Sequence, residues 1–329
     1  MDLLRFPLVV LVDVFKNMDF KELFLISLLS KRARDTLKVT SMSSEFSFNL
    51  SNSLKIQIET YTRNSSIPVK DYRVRDESMR LSLRSVGLIL HDEPAQKQLL
   101  LANHMFDTFK CSFISITFFD EAVPSTAWEL MKMINQRKLY IKSFSYYANA
   151  ESSEFIPRIL DECTEVTDSI FISAFFPDDF VYTPSRPFKA KKIRVWKTTN
   201  WFNLENFMSS PRVIVEIGKS SKRTAETYDS FFTKWMDSDV PLQKLTFYFI
   251  EENDYQTIID ALDKQGTVRR VEADWFEVTR RNGSEFFYHT FAGFIKICTK
   301  QAYLEKVRKD GERAAARQIA IDHQALEQQ

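Results

Sequence analysis

Residues 3 to 37, LLRFPLVVLVDVFKNMDFKELFLISLLSKRARDTL, carry more large apolar side chains than a segment of that length can bury on itself. Below roughly 40 residues a chain seldom folds without disulfides, metal or association. The stretch therefore needs further surface, from a partner or from the rest of the chain. Phe6-Pro7 opens it, and proline at the first helical position loses nothing because its missing N–H would be unpaired there anyway. Leu8, Leu11, Val12, Phe15 and Met18 then recur at three- and four-residue spacing, an amphipathic helix whose stripe is widened by Val9, Val10 and Val14. Asp19 with Glu22 three positions later forms a capping-box pattern, which predicts a second helix from about Phe20 carrying Leu23, Phe24, Ile26, Leu28 and Leu29. The run Ser30-Lys31-Arg32-Ala33-Arg34 turns basic and leads into Leu37.

The remaining chain alternates short β-rich runs with helical ones. EFSFNL and LKIQIETY read as strands, SSIP at 65–68 as a turn, LSLRSVGLIL at 81–90 as a further strand, and EPAQKQLLLANHMFDTF as a helix. From Phe113 a strand-then-helix unit repeats: FISITFF with STAWELMKMINQRK, YIKSFSYY with SSEFIPRILDEC, KKIRVWK with WFNLENFMSS, RVIVEIG with TAETYDSFFTKWMDS, and KLTFYFI with DYQTIIDALDK. SIFISAFF is followed instead by a proline-rich loop. Parallel strands need such crossovers, and each unit leaves an apolar face for its neighbour to cover. The expected fold class is α/β: a small N-terminal helical domain, then an irregular strand-helix array of leucine-rich-repeat-like solenoid type, without the strict Leu and Asn ladder. A doubly wound sheet is the alternative. Residues 113 to 264 are expected to form one mainly parallel sheet with its helices on one side. Arg281-Asn282-Gly283 marks a C-terminal hairpin. The tail from residue 301, rich in Ala and charge and interrupted by Gly311, is expected to be an exposed helix whose removal leaves the rest folded.

Composition excludes several functions. Forty-five Lys and Arg against 44 Asp and Glu give no general attraction to nucleic acid or anionic membrane. The clusters Lys189/Lys191/Lys192/Arg194, Lys219/Lys222/Arg223 and Arg280/Arg281 read as solvated loop rims, with a local basic patch as the alternative. No apolar run approaches the roughly 18 residues of a membrane span. Cys111, Cys163 and Cys298 have no CxxC pairing and read as reduced core thiols, so a cytoplasmic or nuclear location is expected. The four histidines, His91, His104, His289 and His323, are far apart, and with six glycines in all there is no phosphate-cradling loop. No catalytic constellation, cofactor site or metal site is expected, and the protein is not read as an enzyme.

The pattern of Phe6-Pro7, the helix LVVLVDVFKNM, a second short helix and Ser30-Lys31-Arg32 resembles the F-box, with Phe6 in place of the usual Leu and Ala33 where many members have Trp. That resemblance implies docking on the Skp-type adaptor of a cullin-RING ubiquitin ligase, through Phe6, Pro7, Leu8, Leu11, Val14, Phe15, Met18, Leu23 and Ile26. The downstream chain then selects a protein substrate. TYDSFFTKWMDSDVPLQKLTF and VEADWFEVTRRNGSEFFYHTFAGFIKI look similar to the F-box-associated domain, type 2, of nematode families, over roughly residues 100 to 298. Ile297-Cys298 stands where that domain places a tryptophan. The implied organisation is an F-box at 1–40, a linking β/α segment at 41–112, the repeat-like α/β domain at 113–300 and a charged helical tail at 301–329. The rival reading is a cytosolic repeat scaffold for protein–protein interaction whose N-terminal hairpin is only a cap.

Overall fold

The structure is a computed structural model that describes residues 3–40, 44–58, 68–151, 155–177, 179–217, 222–291 and 293–327. Two compact units divide the chain, Met1–Lys191 and Lys192–Gln329. The first opens with three helices, not two: α1 (Leu8–Lys16), α2 (Phe20–Ser27) and α3 (Lys31–Thr40). The α2 start carries the expected box, Asp19 Oδ1 accepting from Glu22 N and Glu22 Oε2 from Asp19 N, both at 2.9 Å. The third helix was hidden because KRARDTLKVT carries only Ala33, Leu37 and Val39 as apolar residues; Ala33 and Leu37 are fully buried.

β1 (Ser44–Leu50), β2 (Leu54–Gln57), β3 (Lys70–Val74), β4 (Glu77–Arg84) and β5 (Gly87–Leu90) follow, then α4 (Ala95–Thr108), β6 (Cys111–Phe118), α5 (Pro124–Gln136), β7 (Ile141–Glu151), α6 (Ile156–Glu162) and β8 (Ser169–Phe175). Within this unit the strand order is β3-β4-β5-β2-β1-β6-β7-β8. β1, β6, β7 and β8 run parallel, and the others join antiparallel. Residues 41–112 are thus no mere link, since β1 pairs with β6 and α4 is their crossover. The 81–90 run is not one strand: it folds back at Ser85-Val86, where Arg84 pairs with Gly87. A side chain at Gly87 would meet the Ile56 carbonyl oxygen at 2.3 Å, which is why that position carries none. The SSIP turn lies largely outside the described residues.

Strand alternation divides the sheet faces. Phe48 meets Phe106 of α4 at 5.1 Å between ring centroids, and Phe46 meets Phe109 at 5.9 Å, so this face lies under the helices. The opposite face aligns Ser47, Ser115 and Ser143 in one row and Asn49, Thr117 and Ser145 in the next.

The second unit contains β9 (Lys192–Lys197), β10 (Arg212–Glu216), α7 (Ala225–Asp237), β11 (Lys244–Tyr248), α8 (Glu252–Asp263), β12 (Thr267–Arg270), β13 (Trp275–Thr279), β14 (Glu285–Phe291), β15 (Phe294–Thr299) and α9 (Lys300–Glu327). Its order is β12-β13-β14-β15-β11-β10-β9, with β9, β10 and β11 parallel. The expected hairpin is one turn of a four-stranded antiparallel meander. At that turn Gly283 has φ +83° and Asn282 Oδ1 accepts from Ser284 N at 3.0 Å. The helix expected in WFNLENFMSS is only a 3₁₀ turn, Leu204–Phe207, because its aromatics serve as a plug. Trp201, Phe202 and Phe207 are buried, and the last two rings stack at 3.8 Å.

Two further corrections concern charge and the tail. Lys192 and Arg194 lie on β9, not on a loop rim, and Arg223 is half-buried, donating to the carbonyls of Thr199 and Phe202 at 2.5 and 2.9 Å. Lys219 lies outside the described residues. Helix α9 runs unbroken through Gly311, and its first turn is docked: Ala302 and Tyr303 are buried with Trp275, Phe287 and Cys298. Tyr303 stacks on Phe287 at 4.1 Å and donates to Glu272 Oε1 at 2.9 Å.

Candidate docking surface

The first three helices sort their apolar residues by depth. Leu11, Phe15 and Leu37 form a closed cluster, and Phe6, Val14, Met18, Leu23 and Ile26 pack against it half-buried. Of the nine residues expected to dock a partner, only Pro7 and Leu8 are exposed. Leu11 and Phe15, each 2% exposed, are turned inward and hold the helices to one another. Three- and four-residue spacing identifies a face; it does not say whether that face meets the same chain or another. Water reaches other apolar side chains instead: Val9 at 75%, Leu29 at 74%, Val39 at 57% and Leu8 at 53%, with Val10 and Leu25 less open. The weak sequence signal for Val9 and Val10 was their position off the regular stripe.

Beneath this surface the helices are fastened to the first unit's sheet and α4. Phe20 N donates to Ser85 O at 3.0 Å, in the β4–β5 turn. Lys38 Nζ donates to the Phe106 and Phe109 carbonyls, both at 2.6 Å, closing the C-terminal end of α4, and burial holds its ammonium below the ordinary lysine value. Phe20 packs on Phe109 at 5.6 Å and Phe24 edge-on to His104 at 5.7 Å.

His104 and Ser27 form the polar centre of that junction. Ser27 Oγ lies 2.5 Å from Phe24 O and 2.8 Å from His104 Nε2. The hydroxyl gives its single proton to the carbonyl, so Nε2 is the donor and Nδ1 keeps the lone pair. Nδ1 has no partner among the described residues. Protonating it would place a charge in an apolar interior, and burial lowers the ring to about 4, with Arg34 and Arg75 adding to the effect.

Cys163 and Cys298 are buried and Cys111 half-buried, and burial makes all three thiols of low reactivity, raising Cys111 and Cys298 to about 11 and Cys163 well above the ordinary thiol value. Among the described residues no group of three or more His, Cys, Asp or Glu is arranged to hold a metal, and no helix is long and apolar enough to cross a membrane.

Comparison with known proteins places an F-box domain at residues 3–40. No curated protein and no solved structure matches the chain. F-box domains typically bind Skp-type adaptors within cullin-RING ligases, and the proteins that carry them are typically the substrate adaptors of Skp–cullin–F-box ubiquitin ligases. The matched interval coincides with α1–α3 and the surface they expose.

Proposed function

We propose that this protein is the substrate-recognition subunit of a Skp–cullin–F-box ubiquitin ligase, acting in the cytoplasm or nucleus and without an active site of its own. The uncovered side chains of α1–α3 and of the turn between α2 and α3, Leu8, Val9, Val10, Leu25, Leu29 and Val39, meet the adaptor, with Phe6, Pro7, Val14, Met18, Leu23 and Ile26 at their margins. The strand-helix array holds a protein substrate on sheet faces that its helices leave open, and ubiquitin transfer is carried out by other subunits. Proximity is the mechanism: a bound substrate presents its lysines at high effective concentration. The carrying observation is that F-box helices with a filled core of their own still expose several aliphatic side chains, each worth roughly 1.5–3 kcal/mol on full burial.

The array is read as a repeat-type solenoid because β6, β7 and β8 occur in the sheet in chain order with α5 and α6 between them, without the reversal of a doubly wound sheet. The likeness to the F-box-associated domain, type 2, is supported by Lys234-Trp235 near the end of α7 and the strand β11 that follows a polar gap. Co-precipitation with a Skp-type adaptor tests the reading. V9D with L29D is expected to abolish capture while the circular dichroism spectrum is unchanged. Undiminished capture would leave the chain a scaffold without a ligase role.

A further inference from the structure

Two of the ten prolines follow a hydroxyl residue: Pro184 stands after Thr183 and Pro211 after Ser210. The fold treats the two pairs in opposite ways. Ser210 is fully buried two residues before β10, and the carbonyl of Pro211 accepts from the backbone of Gln243 and Lys244 at 2.9 and 3.0 Å, so reaching that hydroxyl requires the sheet to open. Thr183 is exposed, in the irregular proline-rich stretch that follows β8.

Residues 183–187, Thr-Pro-Ser-Arg-Pro, form a strap whose ends are pinned by the buried rings of Tyr182 and Phe188. Among the described residues the backbone of the strap makes no hydrogen bond. Side chains hold it down. Tyr182 and Ser185 donate to one oxygen, Asp161 Oδ1 of α6, at 3.0 and 3.2 Å, and Arg186 shares Glu165 with Lys189 at 3.0 and 2.5 Å. Both cations are more than half exposed, and exposed ion pairs hold weakly. The five residues can therefore leave the surface without breaking the sheet.

The order of residues in the strap suits one class of protein kinase. Pro184 steers Thr183 away from helical backbone and toward the extended form in which a kinase cleft holds its substrate. Proline has no N–H, so a cleft that offers no acceptor beside the reacting hydroxyl favours it over residues whose donor would be buried unpaired. Arg186, three positions after Thr183, supplies a charge-assisted contact to an acidic cleft. Ser185 is exposed too, but Arg186 and not proline follows it.

We propose that Thr183 is a phosphorylation site for a proline-directed protein kinase that favours a basic residue three positions on, with Pro184 and Arg186 as the recognised neighbours. In the transfer Thr183 Oγ1 bonds to the γ-phosphorus of ATP, the bond from that phosphorus to the β,γ-bridging oxygen breaks, ADP departs and the hydroxyl proton passes to the base of the kinase. With about −2 added, the net charge of the strap, +1 from Arg186, changes sign. The modification does not depend on the receptor role proposed above, and it is measured without adaptor.

The experiment uses the full native chain, a cyclin-dependent kinase as the probe enzyme and ATP, with incorporation quantified and mapped by mass spectrometry. Phosphate is expected on Thr183, and T183S is expected to keep it. T183A and P184A are each expected to lower incorporation at least about tenfold, R186A at least about threefold, and S185A to change it less than about twofold. None of the four side chains is buried, so the circular dichroism spectra are expected to match that of the parent chain. Undiminished incorporation in T183A, phosphate on Ser210 of the native chain, or a loss in S185A equal to that in T183A would overturn the proposal. So would a native chain left unmodified: a peptide of residues 179–190 modified under the same conditions would trace the failure to the fold, and an unmodified peptide would trace it to the motif.

Discussion

Leu11 and Val9 sit two residues apart on one helix, yet their substitution is expected to separate two properties. L11A leaves a cavity against Phe15 and Leu37 and is expected to cost about 2–5 kcal/mol in urea unfolding of the first unit. V9D, on a side chain already in water, is expected to change stability by less than about 0.5 kcal/mol while weakening adaptor capture. If V9D unfolds the protein, the side chain has an internal role its exposure does not reveal. Replacing Leu11 and Phe15 together with Asp would thus disrupt the helices themselves as well as docking. His104 offers a second residue-scale test. Its folded ring titrates near 4, below the ordinary 6.5, so on acidification the unfolded chain takes up the proton first. The contribution is complete above pH 6.5 and is lost as pH falls from 6.5 to 4, by about 3 kcal/mol in all. H104Q is expected to lack that part of the slope; parallel pH profiles of the two proteins would disprove it. From sequence, His104 was legible as an interior residue on an apolar helix. Its hydroxyl partner, Ser27, was not, because the two are separated by 77 positions.

At the scale of elements, the tail divides where its burial ends. Truncation after residue 307 removes side chains that are exposed as far as they are described and is expected to cost less than about 0.5 kcal/mol. Truncation from residue 302 removes Tyr303 from its stack on Phe287 and Ala302 from the core, and is expected to cost more than about 2 kcal/mol. Equal denaturation midpoints for the two truncations would show that the docked turn contributes nothing. The sequence made the helix visible through its Ala and charge content but not the docking, which rests on one aromatic whose partners lie on β13 and β14. The same contrast runs through the other elements. Asp19 with Glu22 and Asn282-Gly283 were legible because their chemistry is local. α3, the break at Ser85-Val86 and the aromatic plug at 201–207 were not, because each is decided by what packs against it.

For the molecule as a whole, the fastening of the F-box matters most. A fragment comprising residues 1–43 loses the Ser85, Phe106 and Phe109 carbonyls and the packing of His104, and isolated helices of 8 to 10 residues are marginal in water. It is expected to be unstructured by circular dichroism without adaptor; a cooperative, helical fragment would show that the domain needs no support. The alternation of strand and helix after Phe113 was legible because periodicity is regular there, as was the parallel running of β6–β8 and of β9–β11. That β1 belongs beside β6 was not, because the pairing spans α4 and four other strands.

The ammonium of Lys38, set into the end of α4, has a mechanical consequence. A receptor joined to its ligase by a tether searches a volume, and its targets are modified wherever the tether lets them wander. In the receptor role proposed above, the docking helices are fastened directly to α4 and the β4–β5 turn, so a target held on the adjoining sheet would have a bearing as well as a distance. Which of its lysines is reached becomes a matter of angle, and a mutation that loosened Lys38 would blur the choice before it weakened the grip.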